Sequence, residues 1–260
     1  MLAPQRQSMI IERVRRTGAV RVADLVEELG VSDMTIRRDL ESLADRGLVS
    51  KVHGGATAVG ISSTDEPGFA AKSMREKTAK EAIARAAAEL VEPGEAIALS
   101  GGTTTWTLAQ HLTGTAGLTV VTNSVPVADV FYRSGRSDQT VILTGGIRTP
   151  SDALVGPFAV ATLETINVNT LFLGVHGISA TGFTTPNIDE SETDRALIRS
   201  ARRLVVLADS TKWGTVGIRT IARCEQADVL ICDTGLPESA RTVFRDSVGR
   251  LILADAGGDR

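Results

Sequence analysis

Apolar and polar positions alternate with two different periods along the chain, and the change of period divides it. In the first stretch apolar residues recur at helical spacing. Met9, Ile10 and Val14 predict the inner face of a helix over residues 5–17, which Gly18 would stop. Val20-Arg21-Val22 reads as a short extended piece. Leu25, Val26 and Leu29 predict a second helix over residues 24–29, ended by Gly30, where positive φ is tolerated. Ile36, Leu40 and Leu43 predict the apolar face of a third. Ser32 is placed to cap it, and Asp33 suits the positive end of its dipole. Leu48, Val49 and Val52 then predict a small β-ribbon that sets Lys51 and His53 on one side.

From residue 74 the pattern differs. Residues 74–91 read as one long helix with Ile83, Ala87 and Leu90 inward. Short, continuously apolar runs follow at 96–99, 118–121, 140–143, 171–173, 204–207, 229–232 and 251–253, most separated by helical stretches. Apolar strands alternating with helices predict a mostly parallel sheet covered on both faces. The fold class expected is therefore α/β, with a small helical head placed before the sheet. Between the two, Gly60, Ser62, Ser63, Pro67 and Gly68 mark a connector, although Phe69 suits a packing anchor. The expected division is 1–57 for the head, 58–73 for the linker and 74–260 for the body.

Composition narrows the function classes. The 260 residues carry a formal net charge of -3, so any nucleic-acid surface must be a local patch. Two cysteines, Cys224 and Cys232, lie in strand-like sequence without a C-x-x-C pair or a Cys/His cluster. That favours a reducing compartment and predicts neither a metal nor another cofactor. Arg6, Glu12 and Arg13 stand where a signal peptide needs an apolar core, and no apolar run approaches the roughly 18 residues of a membrane helix. The expectation is a cytoplasmic protein with no membrane partner.

Two short helices, a tight glycine turn and a further helix bearing basic groups form a helix-turn-helix pattern, which predicts double-stranded DNA as a partner. A guanidinium can fork a guanine edge or clamp a phosphate, and a threonine methyl can meet a thymine methyl. The candidate DNA contacts are Ser32, Met34, Thr35, Arg37 and Arg38 on the third helix, with Lys51 and His53 on the ribbon.

In open parallel sheets ligands bind beyond the carboxyl ends of the strands. The first run ends in Ser100-Gly101-Gly102-Thr103-Thr104-Thr105 before a helix, where glycines and a helix N-terminus favour an anion and the hydroxyls add donors. The second ends in Thr122-Asn123-Ser124, the third in Thr144-Gly145-Gly146, and the fifth in Asp209-Ser210-Thr211-Lys212. Together these strand ends predict a pocket for a small phosphorylated, hydroxylated ligand, with Lys212 as its cation.

The spacing of these residues resembles the DeoR family of bacterial regulators. In the head the likeness rests on Arg6, Ile10 and Val14, on Ser32 with Thr35 to Leu40, and on Lys51 and His53 to Ala56. In the body it rests on Gly101 to Thr105, Thr122 to Ser124, Gly145, Gly146, Gly182, Glu192, Asp209 and Lys212. Ser100-Gly101 departs from it where many relatives have Asp-Ser, as does Asp194 where a lysine is frequent.

The resemblance implies a winged helix-turn-helix head on a body resembling ribose-5-phosphate isomerase. It implies operator DNA and a phosphorylated sugar or sugar alcohol as partners, Glu192 among the effector-binding residues, and a homo-oligomer, dimer or tetramer. The function expected is a transcriptional regulator, a repressor of carbohydrate-metabolism genes. The alternative is a sugar-phosphate isomerase-like enzyme with an appended DNA-binding head. Such catalysis needs a base, and the turn after the fourth strand, Gly174 to Ser179, holds only His176 and no acid.

Overall fold

A computed structural model describes residues 3–17, 19–46, 48–52, 54–58 and 68–257. They fall into two compact units, Met1–Ser62 and Ser63–Arg260.

The first unit runs α1 (Ala3–Thr17), β1 (Ala19–Arg21), α2 (Val22–Leu29), α3 (Asp33–Asp45), β2 (Val49–Val52) and β3 (Gly55–Ala58). Ile10, Val14, Leu25, Leu29, Ile36, Leu40 and Leu43 close one core with Val20, Val49 and Ala56. Met9 does not join them and is 44% exposed. One residue advances a helix by about 100°, so the buried row is Arg6, Ile10 and Val14 at intervals of four. The row begins with a charge because Asp39, also buried, waits on α3. Arg6 Nε donates to Asp39 Oδ2 at 2.5 Å, and Gln7 Nε2 donates to the other oxygen at 3.2 Å.

The ribbon is a three-stranded antiparallel sheet in the order β1-β3-β2, with Lys51 opposite Ala56. Gly54 turns the hairpin at φ 81°, and its carbonyl accepts from Val22 N at 2.9 Å. That bond starts α2 at Val22, two residues before the expected start. Gly18 and His53 lie outside the described residues.

The second unit runs α4 (Phe69–Ser73), α5 (Lys77–Ala88), β4 (Ala96–Leu99), α6 (Thr103–Leu112), β5 (Thr119–Thr122), α7 (Val125–Ser134) and β6 (Thr140–Leu143). A short hairpin, β7 (Ile147–Arg148) and β8 (Leu154–Val155), leads into α8 (Pro157–Leu163) and β9 (Val168–Gly174). Then come β10 (Gly177–Ser179), β11 (Gly182–Thr185), α9 (Ile188–Ser200), β12 (Ala201–Leu207), β13 (Arg219–Ala222), β14 (Val229–Asp233), α10 (Glu238–Ser247) and β15 (Leu251–Ala254).

All seven apolar runs become neighbours in one parallel sheet, in the order β15-β14-β12-β9-β4-β5-β6. Successive side chains leave opposite faces. Leu171 and Leu173 therefore join a core with α8, α9 and α10, while Phe172 joins another with α5, α6 and α7. The chain winds outward from β4 through β5 to β6, and from β9 through β12 and β14 to β15. The switch point, where a crevice opens beyond the carboxyl ends, lies between β4 and β9.

The helix expected over 74–91 is shorter, α5 running Lys77–Ala88, and a separate helix, α4 (Phe69–Ser73), forms in the stretch expected to be linker. Met74 is exposed and Glu76 takes φ 49°, which separates α4 from α5. Lys80 Nζ holds the break by donating to Lys72 O and Arg75 O, each at 2.7 Å. A second antiparallel sheet, β10-β11-β13, carries too many glycines and threonines to register as apolar sequence.

Candidate effector pocket and nucleic-acid interface

The loops after β4, β5 and β9 meet at the switch point. Gly101 N donates to Asn123 Oδ1 at 2.8 Å, and Asn123 Nδ2 donates to Leu154 O at 3.2 Å. Ser100 Oγ accepts from Gly174 N at 2.9 Å and thereby ties β4 to β9. Close packing dictates the glycines. A Cβ on Gly101 would lie 2.6 Å from Ala153 Cβ, and one on Gly146 would lie 2.5 Å from Val155 O. Gly146 also sits at φ 122°, while Gly145, at φ 73°, faces open space.

The N-terminus of α6 opens at this junction. Its N-cap is Gly102, so no side chain satisfies the first backbone N–H groups. Thr103 and Thr104 are 7% and 8% exposed, and their hydroxyls make no hydrogen bond among the described residues. Thr105 differs. Its hydroxyl donates to Ser100 O at 2.7 Å with Gly102 O at 3.0 Å, so it braces the turn and has no proton to spare. Ser124 Oγ caps α7, accepting from Val127 N at 3.4 Å.

Beyond β12, Asp209 caps the following turn through Thr211, and Lys212 makes no ion pair among the described residues. Lys80 stands next to both. Burial pushes its ammonium pKa down, Asp209 opposes that, and Lys212 adds to it. The sequence pattern missed Lys80 because its partners are backbone carbonyls of residues 72 and 75, before the helix that carries it. The same α4 segment reaches the other rim: Lys72 Nζ donates to Ser151 Oγ at 2.8 Å, and Phe69 meets Trp106 edge-on at 5.7 Å. Lys72 of α4 therefore links Lys80 on α5 to the loop that covers Gly101.

Glu192 is not brought to these loops. Its carboxylate accepts from Arg219 at 2.7 Å and faces Arg195 at 3.6 Å. Two residues along a helix are about 200° apart, and it is Glu190 that reaches the rim, accepting from Thr149 at 2.9 Å. His176 lies in the β9–β10 turn, its N–H donating to Thr184 O at 3.2 Å.

In the first unit, Ser32 Oγ accepts from Thr35 N at 3.3 Å and pairs with the Thr35 hydroxyl at 2.9 Å. Met34 is 63% exposed, and Arg37 and Arg38 are exposed beside it. The two arginines are not equivalent. Arg37 forks Asp33 at 2.5 and 3.3 Å, whereas Arg38 has no ion pair among the described residues. Lys51 is placed in β2 by its backbone.

Both units match known families. Residues 6–61 match the DeoR-like helix-turn-helix domain, and residues 75–234 match the DeoR C terminal sensor domain. The chain is 37% identical to YgbI, an uncharacterized HTH-type transcriptional regulator of Escherichia coli, over 97% of its own length and 98% of that protein's. It is 35% identical to the HTH-type transcriptional regulator GlpR of Haloferax volcanii, covering 93% and 94%. It is 32% identical to the lactose phosphotransferase system repressor of Streptococcus mutans, covering 90% and 93%. Among solved structures it is similar to a D-ribose-5-phosphate isomerase in complex with phospho-erythronic acid, at TM-score 0.40 and 14% identity over 53% of this chain and 54% of that one. Among the described residues no helix is long and apolar enough to cross a membrane.

Proposed function

The chain belongs to the DeoR family of transcriptional regulators, and from that premise we propose that it is a repressor of carbohydrate-use genes whose operator affinity is set by a phosphorylated sugar or sugar alcohol. The observation that carries this reading is the uncapped start of α6, with the two unengaged hydroxyls of Thr103 and Thr104 beside it. Backbone N–H groups and a helix dipole at a glycine turn suit a phosphate. Lys212 and Lys80 supply positive charge, and Asp209 suits a sugar hydroxyl as acceptor. Gly101 and Asn123 shape the pocket, with Gly145 and Gly146 at its edge.

In the head, α3 enters the major groove. Ser32, Met34, Thr35 and Arg38 face the duplex, Arg37 joins them by leaving Asp33, and the sequence offers Lys51 and His53 as phosphate contacts. Paired heads in a homo-oligomer would engage paired half-sites. Helix α4 follows directly on the connecting residues, holds Ser151 of one rim through Lys72, and accepts from Lys80, the lysine beside Asp209. It is therefore the element through which ligand binding reaches the head. A coupling of about 1–3 kcal/mol would change operator affinity about 5- to 150-fold.

The test is a thermal-shift screen against a sugar-phosphate panel, since a ligand that binds only the native state raises the melting temperature. Hits are then titrated into an operator gel shift. A hit that stabilises the protein and changes operator affinity supports the reading. A panel without a hit, or a hit without effect on DNA, refutes it. Assaying the same panel for turnover tests the isomerase alternative.

A further inference from the structure

A second concave site lies away from the switch point, between α9 and β13. It is an open groove of about 390 Å³ lined by Arg195, Ile198 and Arg199 on α9, by Thr220 to Ala222 on β13, and by Arg223 and Gln226 beyond. Positions 195, 198 and 199 share one face of the helix, which is how two guanidiniums come to one wall. The lining holds three arginines and no carboxylate, in a chain whose net charge is -3.

The polar groups left available are nearly all donors. Arg195 is anchored, donating to Thr220 O at 2.6 Å and held by Glu192 at 3.6 Å. Arg199 and Arg223 have no ion pair among the described residues. Gln226 spends its carbonyl oxygen on Arg223 N at 2.8 Å, which leaves its amide N–H groups. Glu192, the acid one turn before the groove, is engaged by Arg219. Arg195 already shares Glu192, whereas Arg199 and Arg223 line the groove with no carboxylate of the lining to offset them, so an anion that accepts from these two, with Arg195 on the same helix face, meets donors not yet engaged by a counter-charge. Guanidinium forks match the paired oxygens of phosphate and carboxylate groups, and the volume suits a small molecule.

We propose that this groove is a second anion site, taking a small metabolite that bears a compact dianion, either a phosphate monoester or a dicarboxylate. It shares no residue with the strand-end pocket and does not depend on the effector reading.

The test is a heteronuclear NMR titration of the full chain with inorganic phosphate and, separately, with malonate, at constant chloride. The arginine Nε–H signals report the groove, and the backbone N–H of Gly101 and Thr103 report the strand-end pocket. The expected result is a saturating shift of the Arg195, Arg199 and Arg223 signals with one of the two anions. Arg199→Gln with Arg223→Gln should weaken the Arg195 response by at least about tenfold, with Gly101 and Thr103 unmoved by the substitutions. The anion that saturates tells phosphate ester from dicarboxylate. Arginine signals that stay still, or that drift linearly without saturating, overturn the site. Signals that move with protein concentration alone also overturn it, because a second copy of the chain then fills the groove.

Discussion

Asn123→Ala separates a residue that builds the pocket from one that touches the ligand. Asn123 is 2% exposed and uses both ends of its amide within the protein, accepting from Gly101 N at 2.8 Å and donating to Leu154 O at 3.2 Å. Truncation leaves one donor and one acceptor without a side-chain partner. An unsatisfied buried group costs about 1–3 kcal/mol. Gly101 is only half-buried, so water relieves part of its share, and the pair together should cost about 2–4 kcal/mol. A domain of this size loses about 2–4 °C per kcal/mol, which gives a drop of about 4–16 °C in the melting of the second unit without ligand. Differential scanning calorimetry with and without a sugar phosphate reads both effects. Asn123→Asp keeps the acceptor for Gly101 and loses the donor for Leu154. Its added negative charge should reduce the ligand-induced shift more than alanine does. An alanine variant that melts like the wild type without ligand, and loses only the ligand-induced shift, would refute the bracing role.

The head and the pocket give three further tests. Arg38→Ala should weaken operator binding by about 1–3 kcal/mol and more than Arg37→Ala does, because Arg37 must first give up Asp33; equal affinity for wild type and Arg38→Ala in a gel shift would remove Arg38 from the interface. Lys212→Ala should leave operator affinity and its steep salt dependence intact while blunting the response to sugar phosphate, and a normal response would place the cation elsewhere. Asp138, forked by Arg136 at 2.8 and 2.7 Å, has its carboxyl pKa drawn down from the ordinary 3.8 to about 2. Its stabilising contribution is therefore complete above pH 3.8 and lost as pH falls through about 2; carboxyl NMR should place the midpoint near 2, and a midpoint near 4 would show that the fork does not hold in solution.

The covalent pattern carried the layout of this protein. Helical spacing located α1 to α3, and uninterrupted apolar runs located all seven strands of the parallel sheet. Both signals are local consequences of burying one stripe of a helix or both faces of a strand. The Gly-Thr turn was legible for the same reason, because backbone approach and capping are short-range.

What the pattern lacked came from residues far apart in sequence. Asp39 looks like a surface charge until Arg6, 33 residues away, folds onto it. Lys80 looks like one more exposed lysine until the carbonyls of Lys72 and Arg75 turn toward it. Thr105 and Glu192 carry the right chemistry for a pocket, yet Ser100 O takes the proton of one and Arg219 takes the carboxylate of the other. The donor-lined groove exists only where α9 meets β13. Periodicity reports which groups are buried, but the partner that a polar group finds is settled by tertiary packing, since the cost of leaving it unpaired is met only once distant segments arrive.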